Sequence, residues 1–351
     1  MTAGKKVVLG MSGGVDSSAA VAVLQHDGYE VVGATCLFER GERAEAAAEA
    51  AARVCAAMGI RHIVRDCAAR FDDVVVRRFV EAYASGLTPS PCVGCNAAMK
   101  LPELISIADE AGAPFVATGH YARVNCMQDT GRYAVLAALD HRKDQSYMLA
   151  LLSQDQLARL VLPLGGMTKL EVRELARSLG LDVADVPDSQ DICFAPHGYR
   201  QLLAERGVHD EPGDIVNVAG EKVGEHQGLS GYTIGQRKGI GVAGPVPYYV
   251  VAKHPCRNEL VVGTEEESRI GHVVVAQMNW QAVEPPSEAV HAMVKLRYRS
   301  NPCPCIIEPV DEARARVALP CPQPATAPGQ YAVFYQGAVV LGGGVIEEVG
   351  L

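Results

Sequence analysis

A stretch rich in glycine and serine, GMSGGVDSS at residues 10–18, follows an apolar run at 7–9 and precedes a helix-forming run at 19–25. A loop between a buried strand and a helix presents free backbone N–H groups, and the helix dipole adds positive potential there. Glycines let the backbone approach a ligand closely, so the expected ligand is a phosphate or pyrophosphate. The lysine of the common P-loop does not follow, which excludes a Walker site.

Apolar runs alternate with helix-forming runs from residue 5 to about residue 120. The expected strands are 7–9, 31–36, 60–64 and 114–118, and the expected helices are 19–25, 42–58 and 71–84. This alternation predicts a parallel sheet covered by helices, with ligands at the carboxyl ends of the strands.

The pattern changes after about residue 196, where Gly, Pro and Val become frequent and the apolar runs become short. Short alternating runs of this kind are typical of small β barrels. The sequence therefore predicts an α/β domain over 1–196, a central β-rich domain over 197–268 and a C-terminal β barrel over 269–351.

Composition limits the function classes. The chain has 351 residues, eleven cysteines and a net charge of −9, with no apolar stretch long enough to cross a membrane. Since the N-terminus also lacks the pattern of a signal peptide, we expect a cytoplasmic protein. An odd number of cysteines there argues against a disulfide framework and favours thiol chemistry, a metal site or plain buried cysteines. The net charge disfavours nucleic-acid binding, but a local basic face remains open. Its expected members are Arg237, Lys238, Lys295, Arg297 and Arg299, the last three on one side of a strand.

Two further motifs carry cysteines. In TPSPCVGCNAAMK, residues 88–100, Cys92 and Cys95 precede a helix expected from Asn96, and a helix N-terminus stabilises a thiolate. The alternative is a zinc knuckle completed by Cys303 and Cys305. In DSQDICF, residues 188–194, Cys193 taken alone reads as a buried thiol.

Together the motifs resemble the family of tRNA-specific 2-thiouridylases, members of the ATP pyrophosphatase superfamily whose phosphate loop reads SGGxDS. The resemblance covers nearly the whole chain. It rests on stretches at 10–18, 88–96, 117–123, 143–149, 162–176, 189–194, 228–242, 295–300, 328–335 and 341–344.

The resemblance implies an ATP-dependent thiolation with Mg²⁺. The enzyme adenylates O2 of the wobble uridine U34 in tRNA for Lys, Glu or Gln. Cys193 carries a persulfide supplied by sulfur-relay proteins fed by a cysteine desulfurase, and its sulfur displaces AMP at C2. Cys95 is the second catalytic thiol, which helps to release sulfide or forms a Cys95–Cys193 disulfide.

The resemblance also assigns binding residues. ATP contacts are expected at Gly10, Met11, Ser12, Gly13, Gly14, Val15, Asp16, Ser17, Cys36 and Gly119. The target base is expected at Ser90, Pro91 and Cys92. Other tRNA contacts are expected at His120, Lys143, Asp144, Gln145, Arg297, Tyr298 and Gln330.

Three positions depart from the family pattern. Ser90 stands where Asn is usual, Cys36 where Met is frequent, and Cys92 where many relatives have Asp. Cys92, Cys95 and Cys193 could therefore hold a [4Fe–4S] cluster with one open iron for sulfide. Two other functions stay open: another ATP pyrophosphatase ligase, and a non-catalytic protein that binds tRNA or zinc.

Overall fold

The N-terminal part of the chain is built on a five-stranded parallel sheet. The computed structural model describes residues 5–180, 192–244 and 246–350. The sheet has the order β3-β2-β1-β4-β7. Its strands are β1 (Lys5–Gly10), β2 (Tyr29–Leu37), β3 (Arg61–Asp66), β4 (Phe115–Ala117) and β7 (Leu160–Val161).

Helices cover both faces of this sheet. The helices of the described residues are α1 (Val15–His26), α2 (Glu42–Ala57), α3 (Ala68–Phe71), α4 (Arg77–Ala84), α5 (Pro91–Cys95), α6 (Leu101–Ala111), α7 (Gln154–Arg159), α8 (Lys169–Ser178) and α9 (Tyr199–Glu205). In β1, Val8 packs in one core with Leu104 of α6, whereas Val7 and Leu9 pack on the other side with Leu24 of α1. A strand buried on both faces is continuously apolar, which explains the run at 7–9.

Two wide helical turns interrupt the regular helices. A π-helical turn at Asp72–Val76 joins α3 to α4, and a second at Asn96–Lys100 joins α5 to α6. The chain also has 3₁₀ turns at Ser146–Leu149, Leu229–Gly231 and Pro255–Arg257. Residues 91–111 therefore form one continuous helical segment, with a wide turn in its middle.

The strand order creates a crevice between β1 and β4. The chain leaves β1 toward β2 on one side, whereas β4 lies on the other side, and all of these strands are parallel. Ligands of open α/β sheets bind outside the carboxyl ends of strands at such a switch point. The loop after β1 and the residues after β4 meet there.

Two β-rich parts follow. The central sheet has the order β10-β11-β8-β9. Its strands are β8 (Gly213–Asn217), β9 (Lys222–His226), β10 (Tyr249–His254) and β11 (Glu259–Gly263). The C-terminal strands are β12 (Arg269–Trp280), β13 (Val290–Lys295), β14 (Cys303–Pro309), β15 (Ala315–Pro324), β16 (Tyr331–Gln336) and β17 (Val339–Gly350). Because β12 pairs with both β15 and β17, these six strands close into a barrel. The predicted fold class is confirmed.

One hairpin from the N-terminal part extends the barrel sheet. It consists of β5 (Ala122–Cys126) and β6 (Tyr133–Ala137), and β17 pairs with β6 where Val339 meets Leu136. Nearby, the buried Tyr147 donates its hydroxyl to the carbonyl of Tyr331 at 2.9 Å. These contacts fix the barrel against the parallel-sheet domain.

The expected basic stripe on one strand is wrong. Strand β13 ends at Lys295, so Arg297 and Arg299 lie in the turn that follows. The Arg297 guanidinium turns inward and donates to the carbonyls of Ile234 and Ala325, at 2.6 and 2.9 Å. In the part of the chain that is described, we find no helix with the length and apolarity that a membrane span needs.

Candidate active site

The loop between β1 and α1 is shaped by its own hydroxyl groups. Ser17 Oγ accepts the Ser12 N–H at 3.2 Å and donates to the Gly14 carbonyl at 3.1 Å. Ser18 Oγ donates to the same carbonyl at 2.9 Å. None of the described side chains caps the N-terminus of α1, so its first N–H groups keep their capacity for an anion.

Two glycines give this loop its close contacts. Gly13 has φ +75°, and a Cβ there would lie 2.7 Å from the carbonyl oxygen of Ala47. A Cβ at Gly119, just after β4, would lie 3.2 Å from the Ser17 nitrogen. The two sides of the crevice thus approach each other backbone to backbone.

A lysine that the sequence analysis did not single out completes the loop. Lys169, the first residue of α8, places Nζ 2.8 Å from both carboxylate oxygens of Asp16. The Tyr121 hydroxyl donates to Asp16 Oδ1 at 2.8 Å, and Lys169 Nζ lies 5.6 Å from the centre of the Tyr121 ring. A cation at a helix N-terminus opposes the helix dipole and needs a carboxylate partner, which is the signal that could have found Lys169.

The first cysteine pair lies inside a helix. Helix α5 begins at Pro91, so the prediction that Cys92 and Cys95 precede a helix from Asn96 is wrong. Proline suits the first helical position because its φ is preset and it has no N–H to satisfy. Ser90 is the N-cap residue, and its side chain makes no capping hydrogen bond within the described residues.

One apolar cluster supports the cysteines. Its buried members include Phe71, Phe79, Met99 and Phe194. Cys36, Cys95 and Ile192 pack against this cluster. Since Ile192 and Phe194 flank Cys193, the cluster holds Cys193 near Cys95. Residues 189–191 of the SQDICF motif lie outside the described residues.

The three candidate thiols are electrostatic neighbours. Burial raises the pKa of Cys95 to about 11, the Lys100 ammonium opposes this shift, and Cys193 and Cys92 add to it. Desolvation also raises the pKa of Cys193 and of Cys92, although both side chains are reachable by solvent. The free thiols are therefore protonated at neutral pH, and a nucleophile here needs either a more acidic sulfur group or a nearby cation.

The charge of Lys100 acts both on His120, which follows the phosphate crevice at Gly119, and on the thiols. His120 follows Gly119, and its Nδ1 lies 2.7 Å from Thr118 Oγ1. Burial lowers the pKa of His120 to about 3, and the charge of Lys100 adds to this shift. The same Lys100 lowers the pKa of Cys95 and of Cys193. Since such effects fall off with distance, the thiols lie beside the crevice that holds the phosphate loop.

A metal site is not formed by these thiols as they are placed. No group of three or more His, Cys, Asp or Glu side chains among the described residues is arranged to hold a metal ion. Cys92, Cys95 and Cys193 are all described, and they are not arranged around a single metal ion. Cys303 and Cys305 are buried in the barrel core, where they cannot complete a zinc knuckle with Cys92 and Cys95.

The predicted tRNA contacts divide into two groups. Several of these side chains already bond within the chain. Asp144 accepts the Ser146 hydroxyl at 2.8 Å, Gln145 accepts the Tyr121 N–H at 2.9 Å, and Gln330 donates to the Thr88 carbonyl at 2.6 Å. Arg297 bonds inward as described above.

The aromatic and basic members lie around the remaining surface. Lys295 Nζ lies 5.9 Å from the ring centre of Tyr147 and 5.8 Å from that of Tyr298. Burial and the charge of Asp144 raise the pKa of the Tyr298 hydroxyl, Arg299 lowers it, and Cys92 adds a smaller rise. Lys143 is half-buried, and Arg299 is exposed. The barrel thus brings an aromatic ring and cations to the edge of the thiol site.

Comparisons with known proteins cover nearly the whole chain. Residues 5–197 match the family described as tRNA methyl transferase HUP domain, and residues 201–264 match the tRNA methyl transferase PRC-barrel domain. Residues 271–346 match the aminomethyltransferase beta-barrel domain.

Two relatives named tRNA-specific 2-thiouridylase MnmA are similar over their full length. The one from Nostoc punctiforme is 42% identical over 349 residues, which are 98% of this chain and 99% of the relative. The one from Chloroflexus aggregans is 45% identical over 357 residues, again 98% and 99%.

Solved structures match more weakly. The U34-tRNA thiolase NcsA from Methanococcus maripaludis, with its [4Fe-4S] cluster, has 20% identity and a TM-score of 0.36, over 57% of this chain and 63% of that one. The NH3-dependent NAD synthetase from Campylobacter jejuni has 17% identity and a TM-score of 0.32, over 59% and 77%. Likenesses at this level carry no argument about function.

Proposed function

This chain belongs to the family of tRNA-specific 2-thiouridylases, and on that premise we propose that it thiolates tRNA through a persulfide on Cys193. Its family makes it an ATP-dependent tRNA-uridine 2-sulfurtransferase with a PP-loop domain. The proposal concerns the target base, the two thiols and the route of the sulfur. We take U34 of tRNA for Lys, Glu and Gln as the target.

The first step is adenylation. ATP, as its Mg²⁺ complex, places its β and γ phosphates against the loop at residues 10–17 and Gly119, with Cys36 beside the adenine. O2 of the flipped-out uridine attacks the α phosphate and pyrophosphate leaves. Backbone N–H groups at the start of α1 stabilise the departing charge. Ser90, Pro91 and Cys92 hold the base, and the remaining predicted contacts hold the anticodon stem.

The second step is sulfur transfer. The terminal sulfur of the Cys193 persulfide attacks C2, and AMP leaves with the electron pair of the C2–O bond. Cys95, as its thiolate, then attacks Sγ of Cys193 and breaks the sulfur–sulfur bond. The bond electrons stay with the sulfur on C2, which gives 2-thiouridine and a Cys95–Cys193 disulfide. An external thiol reductant and a persulfide donor of the sulfur relay reset the enzyme.

The observation that carries this proposal is the packing of Cys95 and of the residues around Cys193 on one cluster. Cys193 also raises the pKa of Cys95, after burial, which raises it, and the charge of Lys100, which lowers it. A persulfide is more acidic than a thiol, so it supplies an anion where the free thiols stay protonated. The proposal uses no iron–sulfur cluster, and the three cysteines are not arranged around a single metal ion.

The test uses serine variants at both thiols with unmodified tRNA for Lys, ATP, Mg²⁺ and a persulfide donor. Cys95→Ser and Cys193→Ser should each reduce 2-thiouridine formation at least 100-fold, while tRNA-dependent pyrophosphate release survives. Nucleoside mass spectrometry and a pyrophosphate assay measure the two steps separately. The matched control is Cys126→Ser, an exposed cysteine of the β5–β6 hairpin, which should leave both readouts unchanged.

Other functions predict other outcomes. Normal thiolation by both variants would contradict the proposal. Another ATP pyrophosphatase ligase would release pyrophosphate without needing either thiol or tRNA. A cluster enzyme would lose activity in Cys92→Ser as completely as in Cys95→Ser, and its activity would require iron. A non-catalytic tRNA-binding or zinc-binding protein would release no pyrophosphate at all.

A further inference from the structure

Lys100 stands at the end of the wide turn that joins α5 to α6. There the Leu101 N–H bonds to the carbonyl of Asn96, five residues back instead of four. A turn of this width places residues five apart on the same side of the helix, so Lys100 comes above Cys95. Isolated π-helical turns are frequent at functional sites.

The surroundings of Lys100 lack a carboxylate partner. The side chain is half-buried, and among the described residues no ion pair joins it to an Asp or Glu. Lys169, by contrast, is paired with Asp16 across the same crevice. A partly desolvated ammonium without a counter-ion is costly, so the site is built to receive an anion.

The groups that sense the Lys100 charge identify the anion. They are the thiols Cys36, Cys92, Cys95 and Cys193 and the imidazole of His120. Four of these five groups become anions when they lose a proton. His120 cannot be the anion that Lys100 stabilises, since an imidazole side chain is neutral or cationic.

We propose that Lys100 is a positioning residue for the sulfur chemistry, which stabilises the anionic persulfide on Cys193 and then the thiolate of Cys95. This inference rests on the proposed function. The two anions form in sequence: the persulfide before the attack on C2, and the Cys95 thiolate before the attack on Sγ of Cys193. One ammonium whose charge acts on both cysteines stabilises each anion in turn.

The other charges at the site do not replace Lys100. Around Cys193, desolvation, Cys92 and Glu39 all raise the pKa, and Lys100 opposes them. Around Cys95, burial, Cys193 and Cys92 raise the pKa, whereas the ammonium and the backbone N–H of Lys100 lower it. The N–H of Lys100 survives any side-chain substitution, so a variant isolates the contribution of the ammonium.

The experiment compares Lys100→Met and Lys100→Gln, which remove the charge, with Lys100→Arg, which keeps it. The matched control is Lys6→Met in β1, whose ammonium pairs with Glu30 at 3.3 Å. Alkylation rates of Cys95 and Cys193 in the iron-free protein are followed against pH by peptide mass spectrometry. Single-turnover sulfur transfer from the persulfidated enzyme and pyrophosphate release are measured in parallel.

Loss of the charge should slow alkylation of both cysteines about tenfold at a fixed pH, which corresponds to a pKa rise of about one unit. Sulfur transfer should slow at least tenfold, with recovery at higher pH, and pyrophosphate release should change less than threefold. Lys100→Arg should restore most of the alkylation rate and most of the sulfur-transfer rate. Lys6→Met should change neither rate.

Unchanged alkylation in both neutral variants would overturn the inference. A fall in pyrophosphate release as large as the fall in sulfur transfer would also overturn it, and would assign Lys100 to the nucleotide phosphates. Failure of the proposed function gives a different result. In that case the Cys193→Ser variant would still thiolate tRNA, independently of the results with the Lys100 variants.

Discussion

Lys169 holds Asp16 of the phosphate loop by two contacts, with Nζ 2.8 Å from each carboxylate oxygen. An unpaired carboxylate in this loop would repel a polyphosphate. The lysine neutralises it, and α8 supplies that lysine from 153 residues further along the chain. A long-range ion pair thus protects the positive potential that the start of α1 provides.

Replacing this lysine should disable adenylation. We expect Lys169→Met to reduce pyrophosphate release at least 100-fold and to destabilise the protein by about 1 to 3 kcal/mol, because Asp16 loses a charged hydrogen bond. The pyrophosphate assay and thermal unfolding check the two effects. Lys6→Met, which breaks the pair of Lys6 with the exposed Glu30, should cost less than about 1 kcal/mol and leave the rate intact. A Lys169→Met enzyme with the original rate would contradict this role.

Two glycines with positive φ allow the cost of backbone strain to be measured separately from the cost of a steric clash at Cβ. Gly13 and Gly28 have φ +75° and +81°, so alanine at either position costs about 1 to 2 kcal/mol of backbone strain. Only at Gly13 would the new Cβ also meet the Ala47 carbonyl, at 2.7 Å, whereas none of the described atoms lies within 4 Å at Gly28. Gly13→Ala should therefore abolish ATP-dependent pyrophosphate release, and Gly28→Ala should only lower the unfolding temperature. Equal activity in the two variants would exclude a close-packed loop.

The thiols should react slowly at neutral pH. Burial raises the pKa of Cys95 to about 11, so its thiolate fraction grows throughout the range from pH 7 to pH 10. Only the thiolate reacts with iodoacetamide, and alkylation of Cys95 should therefore rise about tenfold per pH unit without levelling off. The protein unfolded in denaturant is the control, whose cysteines should level off above pH 9. A plateau of the folded protein below pH 8.5 would contradict the burial argument.

Binding of tRNA should depend on salt through a few exposed cations. Arg237, Lys238 and Arg299 are exposed. Each phosphate contact contributes roughly one unit to the slope of log affinity against log salt. Arg299→Ala should weaken binding and lower that slope by about one unit, as measured by filter binding at several salt concentrations. The control is Arg316→Ala, because the Arg316 guanidinium pairs with Glu308 at 3.1 Å. This variant should change neither the tRNA affinity nor the salt slope.

Local patterns predicted much of the fold. The apolar runs at 7–9 and 31–36 lie within β1 and β2, and the alanine-rich run forms α2. The run at 71–84 is helical but contains a π-helical turn, which apolar spacing does not reveal. The place of the β5–β6 hairpin in the barrel sheet depends on contacts with β17, about 200 residues later. A local sequence pattern does not indicate a strand partner so far along the chain.

The sequence indicated the phosphate loop of the candidate site, but it did not indicate the residues from other elements that support this loop. The glycine-rich loop that contains Gly13 was recognisable because strand–loop–helix chemistry is local, whereas Gly119 was named only from the resemblance. Lys169 was missed because its partner lies in another element, and the stripe at Lys295 to Arg299 was wrong because a turn follows β13. Assignments that rest on the resemblance alone, such as the tRNA contacts of Gln330 and Asp144, stay predictions.

The most direct test of the central claim is a single turnover by iron-free enzyme that carries a persulfide on Cys193. The enzyme is mixed with unmodified tRNA for Lys, ATP and Mg²⁺, and nucleosides and peptides are analysed by mass spectrometry. The account predicts one 2-thiouridine for each Cys95–Cys193 disulfide formed, without iron. Appearance of 2-thiouridine only after anaerobic reconstitution of an iron–sulfur cluster would contradict it.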